Sequence, residues 1–86
     1  MSSTGIFSVD VDLGVVLAKL VKAPGYQKPK ITVSLTGPVT ICHLVDYLGI
    51  PREYISFVTV NSEKKDWASS LGPGDKIILF PYITGG

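Results

Sequence analysis

Residues 71–86 read LGPGDKIILFPYITGG. Two glycines flank Pro73 and Asp75 follows, which predicts a tight turn with the aspartate bonding local backbone. Ile77 to Phe80 are apolar at every position, so no polar face alternates with an apolar one. A strand of that kind belongs at the centre of a sheet with a helix on one side. Pro81 has no N–H, so pairing is expected to weaken there. Residues 82–86 then read as a flexible tail ending in Gly85 and Gly86.

Upstream, YISFVTVN (residues 54–61) is rich in β-branched and aromatic residues and reads as the preceding strand. Between the two strands, SEKKDWASS is a polar connection with Trp67 as its one buried anchor. Further back, the period changes. Ile41, Leu44, Val45 and Leu48 fall at i, i+3, i+4 and i+7, one stripe of a short helix. Thr40 suits its N-cap, Gly49 its C-terminal turn, and Pro51 blocks continuation.

The first half alternates with period two. Val9, Val11 and Leu13 share one face, and Ile31, Val33 and Leu35 share another. The residues VVLAKLVK are expected to extend the first strand past a bend at Gly14. Pro24-Gly25 marks a turn in the long connection. Residues 1–8, beginning MSSTG, are expected to be a disordered start. The order β-β-α-β-β, with first and last strands side by side and one helix across the sheet, predicts an α+β fold of the ubiquitin-like β-grasp type. A mixed sheet of four to five strands is expected in one domain spanning residues 1–86.

Composition narrows the function. The 45% apolar and 17% charged content suits a globular chain. A mean hydropathy of +0.35 hints at apolar surface for a partner. No stretch has the length of a membrane span, and one cysteine gives no internal disulfide framework, so a cytoplasmic protein is expected. Net charge is +1. From Leu13 to Val45 the only charged side chains other than histidine are Lys19, Lys22, Lys28 and Lys30. That segment is either a solvated face or a docking patch for an acidic partner. No stacking platform accompanies it, so nucleic acid is not expected.

Ordinary catalytic constellations are missing. Cys42 and His43 are neighbours on a helix, about 100° apart, and do not face each other. A half-buried Cys42 and a surface His43 are expected, with at most a local hydrogen bond from His43 to Asp46. Two neighbours do not make a metal site, and none is expected. Asp10 and Asp12 share a strand face and are expected to be solvated. The terminus remains. Without Cβ atoms, Gly85 and Gly86 can thread a narrow channel and bring a carboxylate to a partner's active site.

The chain resembles the sulfur carrier family of MoaD, the small subunit of molybdopterin synthase, and ThiS of thiamine biosynthesis. Leu71, Gly74-Asp75, Ile77 to Phe80, Pro81 and Gly85-Gly86 carry the closing signature. The helix, the Leu-Gly-Ile-Pro link and the strand end at Val60-Asn61 resemble it too, so the likeness spans residues 31–86. Tyr82 stands where many members have a second proline, and Ser62 where glycine is usual. The resemblance implies that an E1-like enzyme, using ATP and magnesium, adenylates Gly86. The resulting thiocarboxylate would donate sulfur with a sulfurtransferase or a large synthase subunit. Gly85, Thr84, Tyr82, Pro81 and Phe80 would meet partners, although Phe80 equally suits core packing. The carrier itself would hold no cofactor and no catalytic site. Two alternatives share the fold: a protein modifier forming isopeptides through Gly86, and an interaction domain whose glycines are incidental.

Overall fold

The computed structural model describes residues 5–82. Five strands form one mixed sheet in the order β2-β1-β5-β3-β4. They are β1 (Ile6–Asp12), β2 (Lys30–Thr36), β3 (Ile55–Val60), β4 (Glu63–Lys65) and β5 (Lys76–Pro81). A short helix α1 (Gly14–Ala18) follows β1, and the main helix α2 (Ile41–Leu48) follows β2. This is the ubiquitin-like β-grasp arrangement.

β5 lies at the centre, as its apolar faces predict. It runs parallel to β1 through Asp10↔Lys76 to Asp12↔Ile78, and antiparallel to β3. β1 and β2 form the expected antiparallel pair, from Ile6↔Thr36 to Asp12↔Lys30. The start differs from expectation. β1 begins at Ile6, so Ile6 to Ser8 are paired strand within the segment read as disordered. The second difference follows Gly14, whose φ of 72° turns the chain. Residues 14–18 are a helical turn rather than more strand, and Leu17 and Ala18 enter the core. The run VVLA is apolar without period-two alternation, so strand and helix compete there, and burial decides.

The core lies between the sheet and α2. Ile41, Leu44, Val45 and Leu48 are fully buried, as the stripe predicts. Val9, Val11, Val33, Val58, Ile77 and Leu79 face them from the sheet. Each large side chain so enclosed contributes about 1.5–3 kcal/mol. Trp67 is half-buried and packs against this cluster.

Both ends of α2 are tied to the chain around them. Thr40 accepts from the His43 N–H at 3.3 Å, while the Thr40 N–H donates to His43 Nδ1 at 3.2 Å. The Ile41 and Cys42 N–H groups donate to the carbonyls of Ser69 and Trp67 at 3.0 and 3.1 Å. The orphan donors of the first turn are therefore satisfied by the cap pair Thr40 and His43 together with the 67–69 segment. At the other end Gly49 is left-handed with φ 77°, and the Lys22 N–H donates to Leu48 O at 2.9 Å. A Cβ on Gly49 would lie 2.9 Å from Lys22 Cβ, so this position needs glycine for space as well as conformation.

Candidate functional site

The site is the end of β5. Its inner residues Ile77 and Leu79 are buried, and its outer residues Ile78 and Phe80 are half-buried on the face away from α2. Phe80 is thus outside the core. Its ring stacks on Phe57 of β3, centroids 4.3 Å apart and planes 10° from parallel. The Lys64 ammonium lies 5.4 Å from the Phe57 ring centroid. The pair forms a flat aromatic platform at the root of the tail.

Pro81 interrupts the ladder less than expected. Phe57 faces Phe80, but Ile55 faces Pro81, so Ser56 is an extra residue on β3. This bulge absorbs the mismatch at a proline that has no N–H to give. Pairing then resumes: the Tyr82 N–H donates to Tyr54 O at 3.2 Å. Tyr82 therefore belongs to the body by its backbone, and its side chain is exposed beside the exposed Tyr54. The expectation that pairing ends at Pro81 and that the tail starts at 82 is corrected by one residue. Thr84, Gly85 and Gly86 lie outside the described residues.

The base of β5 is fixed by a network. Asp75 Oδ2 accepts the Gly72 N–H at 2.8 Å, the local bond that the Gly-Asp turn predicts. Its other oxygen accepts the Asn61 amide at 3.0 Å. Asn61 Oδ1 in turn accepts the Lys76 N–H at 3.1 Å. The Asp10 N–H donates to Asp75 O at 3.0 Å. The turn thus locks the starting register of β5 against β1 and β3, and with it the height at which the tail leaves. The part played by Asn61 joins residues fourteen apart and has no signal in spacing alone.

Other candidates are not brought together. His43 caps α2 through Thr40 rather than bonding Asp46. Cys42 is half-buried and faces elsewhere: its sulfur accepts from Arg52 Nη1 at 3.2 Å and lies 3.9 Å from Asp46 Oδ2. The Arg52 guanidinium also sits 5.9 Å from the Trp67 ring centroid. Asp10 is exposed and accepts the Thr32 hydroxyl at 3.2 Å. Among the described residues no three His, Cys, Asp or Glu side chains cluster, and no helix is long and apolar enough to cross a membrane.

A central last strand parallel to the first and a helix covering the sheet define a ubiquitin-like protein. The family model described as Mut7-C ubiquitin matches residues 7–85, and the chain belongs to that family. No curated protein matches it. Among solved structures, it is similar to SAMP1 from Haloferax volcanii, at 22% identity and a TM-score of 0.64, over 92% of this chain and 99% of that one. A second structure, of small archaeal modifier protein 1 from H. volcanii, aligns at 20% identity and a TM-score of 0.67, over 90% and 99%. Urm1 from Trypanosoma brucei aligns at 14% identity and a TM-score of 0.66, over 98% and 100%. At these identities the likeness shows the shared fold.

Proposed function

We propose that this chain is a sulfur carrier whose chemistry sits on the carboxylate of Gly86. An E1-like enzyme binds the body and receives the tail. The carboxylate oxygen attacks the α-phosphate of magnesium-bound ATP, and pyrophosphate leaves. Hydrosulfide from the sulfur donor attacks the acyl carbon, the C–O bond to AMP breaks, AMP leaves, and a thiocarboxylate remains. That sulfur goes to an intermediate in cofactor biosynthesis of the molybdopterin or thiamine type, with a sulfurtransferase or large synthase subunit as partner. ATP and magnesium belong to the activating enzyme, and the carrier supplies recognition and reach.

The observation that carries this reading is the end of β5. The backbone is held as far as Tyr82, and the Phe57–Phe80 platform lies beside the point of departure. A rigid root with an aromatic surface lets a partner read the body while the terminal glycines enter its active site. Gly85 and Thr84 would line that channel, and Tyr82, Pro81 and Phe80 would meet its mouth.

A second reading is a modifier, in which a lysine amine rather than sulfur attacks the adenylate. The likeness to a structure named small archaeal modifier protein 1 favours it. One experiment separates the readings. The purified native chain is incubated with an E1-like enzyme, ATP, magnesium and a sulfur donor, and its intact mass is measured. Replacement of one oxygen by sulfur at Gly86 supports the carrier. Lysine-linked adducts in its cells support the modifier. A mature chain that does not end at Gly86, or deletion of Gly85-Gly86 without loss of any partner or phenotype, leaves a plain interaction domain.

A further inference from the structure

Lys28 and Lys30 stand at the start of β2, which β1 separates from β5. β2 is an edge strand. Its register with β1 shows which backbone groups are free. The Leu13 N–H donates to Pro29 O, and the Gly37 N–H to Gly5 O. With the pairing Ile6↔Thr36 through Asp12↔Lys30, the odd residues of β2 bond β1. The even residues Lys30, Thr32, Ser34 and Thr36 therefore aim both N–H and C=O at the open side. Among the described residues, none of those backbone groups has a hydrogen-bond partner across the open side.

The two edges of the sheet are treated differently. β4 is three residues long and all charged, Glu63, Lys64 and Lys65, which are ordinary defences against strand addition. β2 is seven residues long, carries no proline or bulge, and has one charge, at its start. That start has a basic excess, Lys28 and Lys30 against Asp12 of β1, which pairs opposite Lys30. Lys28 and Lys30 are exposed there, and Lys19 lines the same shallow hollow as Pro29. Val15, 61% exposed, lines it too.

We infer that the open edge of β2 takes up an extended segment of a partner protein by strand addition, with carboxylates of that segment lying against Lys19, Lys28 and Lys30. Backbone bonds to the even residues supply the pairing, and the lysines set its charge preference. Val15 gives an apolar contact at the same end. A second copy of this chain is the poorer occupant, because residues 13–45 hold no carboxylate to set against Lys28 and Lys30. The edge is two strands away from β5, so this docking is separate from the tail and does not rest on its chemistry.

The test uses the intact, isotope-labelled chain and blocked synthetic peptides. One peptide has the order Thr-Val-Ile-Val-Thr-Asp-Glu-Asp. A second has the acidic residues first, and controls carry Lys for Asp and Glu. Amide exchange is followed by NMR at up to millimolar peptide. An acidic peptide should slow exchange at Thr32, Ser34 and Thr36, while Ile31, Val33 and Leu35 stay slow throughout. The lysine peptides should bind about tenfold more weakly, the summed effect of a few exposed charge pairs. Ser34→Pro removes one outward N–H and no bond to β1, so it should weaken binding with the sheet intact. Lys28→Glu with Lys30→Glu should reverse the peptide preference. The inference is overturned if neither acidic peptide protects the even amides, or if acidic and lysine peptides bind equally. It is also overturned if shifts map only to Phe57 and Phe80, or if the even amides gain protection with protein concentration alone, which would mark a second copy.

Discussion

Asn61 and Asp75 bind side chain to side chain, amide to carboxylate at 3.0 Å, and each also holds a backbone N–H of the turn or strand beside it. One short network thus sets where β5 begins. Asp75→Ala should leave the Gly72 N–H and the Asn61 amide without their acceptor and lower stability by about 1–3 kcal/mol. Chemical denaturation measures the loss. Amide exchange should show it as fraying at Lys76, with the pairs at the far end of β5 less affected.

Asn61 and Ser62 are both left-handed, with φ of 53° and 72°, at the turn between β3 and β4. Two-residue turns of this hand favour glycine at the second position. Ser62→Gly should therefore raise stability by about 0.5–1 kcal/mol, since the strain removed slightly exceeds the added chain entropy. A higher melting temperature with unchanged partner binding is the expected result.

Phe80 offers a separation of fold from function. It is half-buried on the outer face, so Phe80→Ala should cost stability on the scale of one stacked aromatic pair and its contact area, about 1–2 kcal/mol. If the platform docks the activating enzyme, the same change should reduce adenylation about tenfold or more, the size of an aromatic interface anchor. Leu79→Ala makes the contrast: Leu79 is 2% exposed, and its loss should unfold a large share of the protein instead.

Tyr26 and Tyr47 meet edge to face, ring centroids 6.0 Å apart. A hydrogen bond with Tyr47, and then the charge of Tyr47, raise the Tyr26 pKa above the ordinary tyrosine value. A raised acid pKa means that the folded state favours the neutral phenol. Its stabilising effect is complete below the unfolded value of about 10 and is lost as pH rises through the folded value. In ultraviolet titration, Tyr47→Phe should move the Tyr26 transition to lower pH.

How much of the fold and site is legible in the sequence depends on whether the signal is local. The helix stripe Ile41, Leu44, Val45 and Leu48, with its caps Thr40 and Gly49, is read from neighbours within two turns, and the structure agrees. The central place of β5 follows from apolar residues on both faces. Val15 to Ala18 mislead because an apolar run without alternation fits either period, and only the burial of Leu17 and Ala18 selects helix. The outward face of Phe80 is undecidable from sequence, since both faces of β5 are apolar. It needs the pairing with Phe57, across a loop of the chain. The continuation through Tyr82 rests on a bulge at Ser56, which no residue type announces. The i, i+3 spacing pairs His43 with Asp46, but its backbone position as third residue of the helix gives it Thr40 instead.

The parallel contact of β1 with β5 has a consequence for synthesis. During translation, β1 and β3 wait with no neighbour between them until the ribosome has supplied residues 76–81. Val9, Val11, Val58 and Val60 cannot be covered by a finished sheet before then. Pairing between distant parts of a chain is slow and comes last. A product truncated ahead of β5 is therefore an unfolded substrate for proteolysis rather than a shorter working protein. Folding itself acts as the inspection step, passing to partners only chains that have been made as far as the root of the tail.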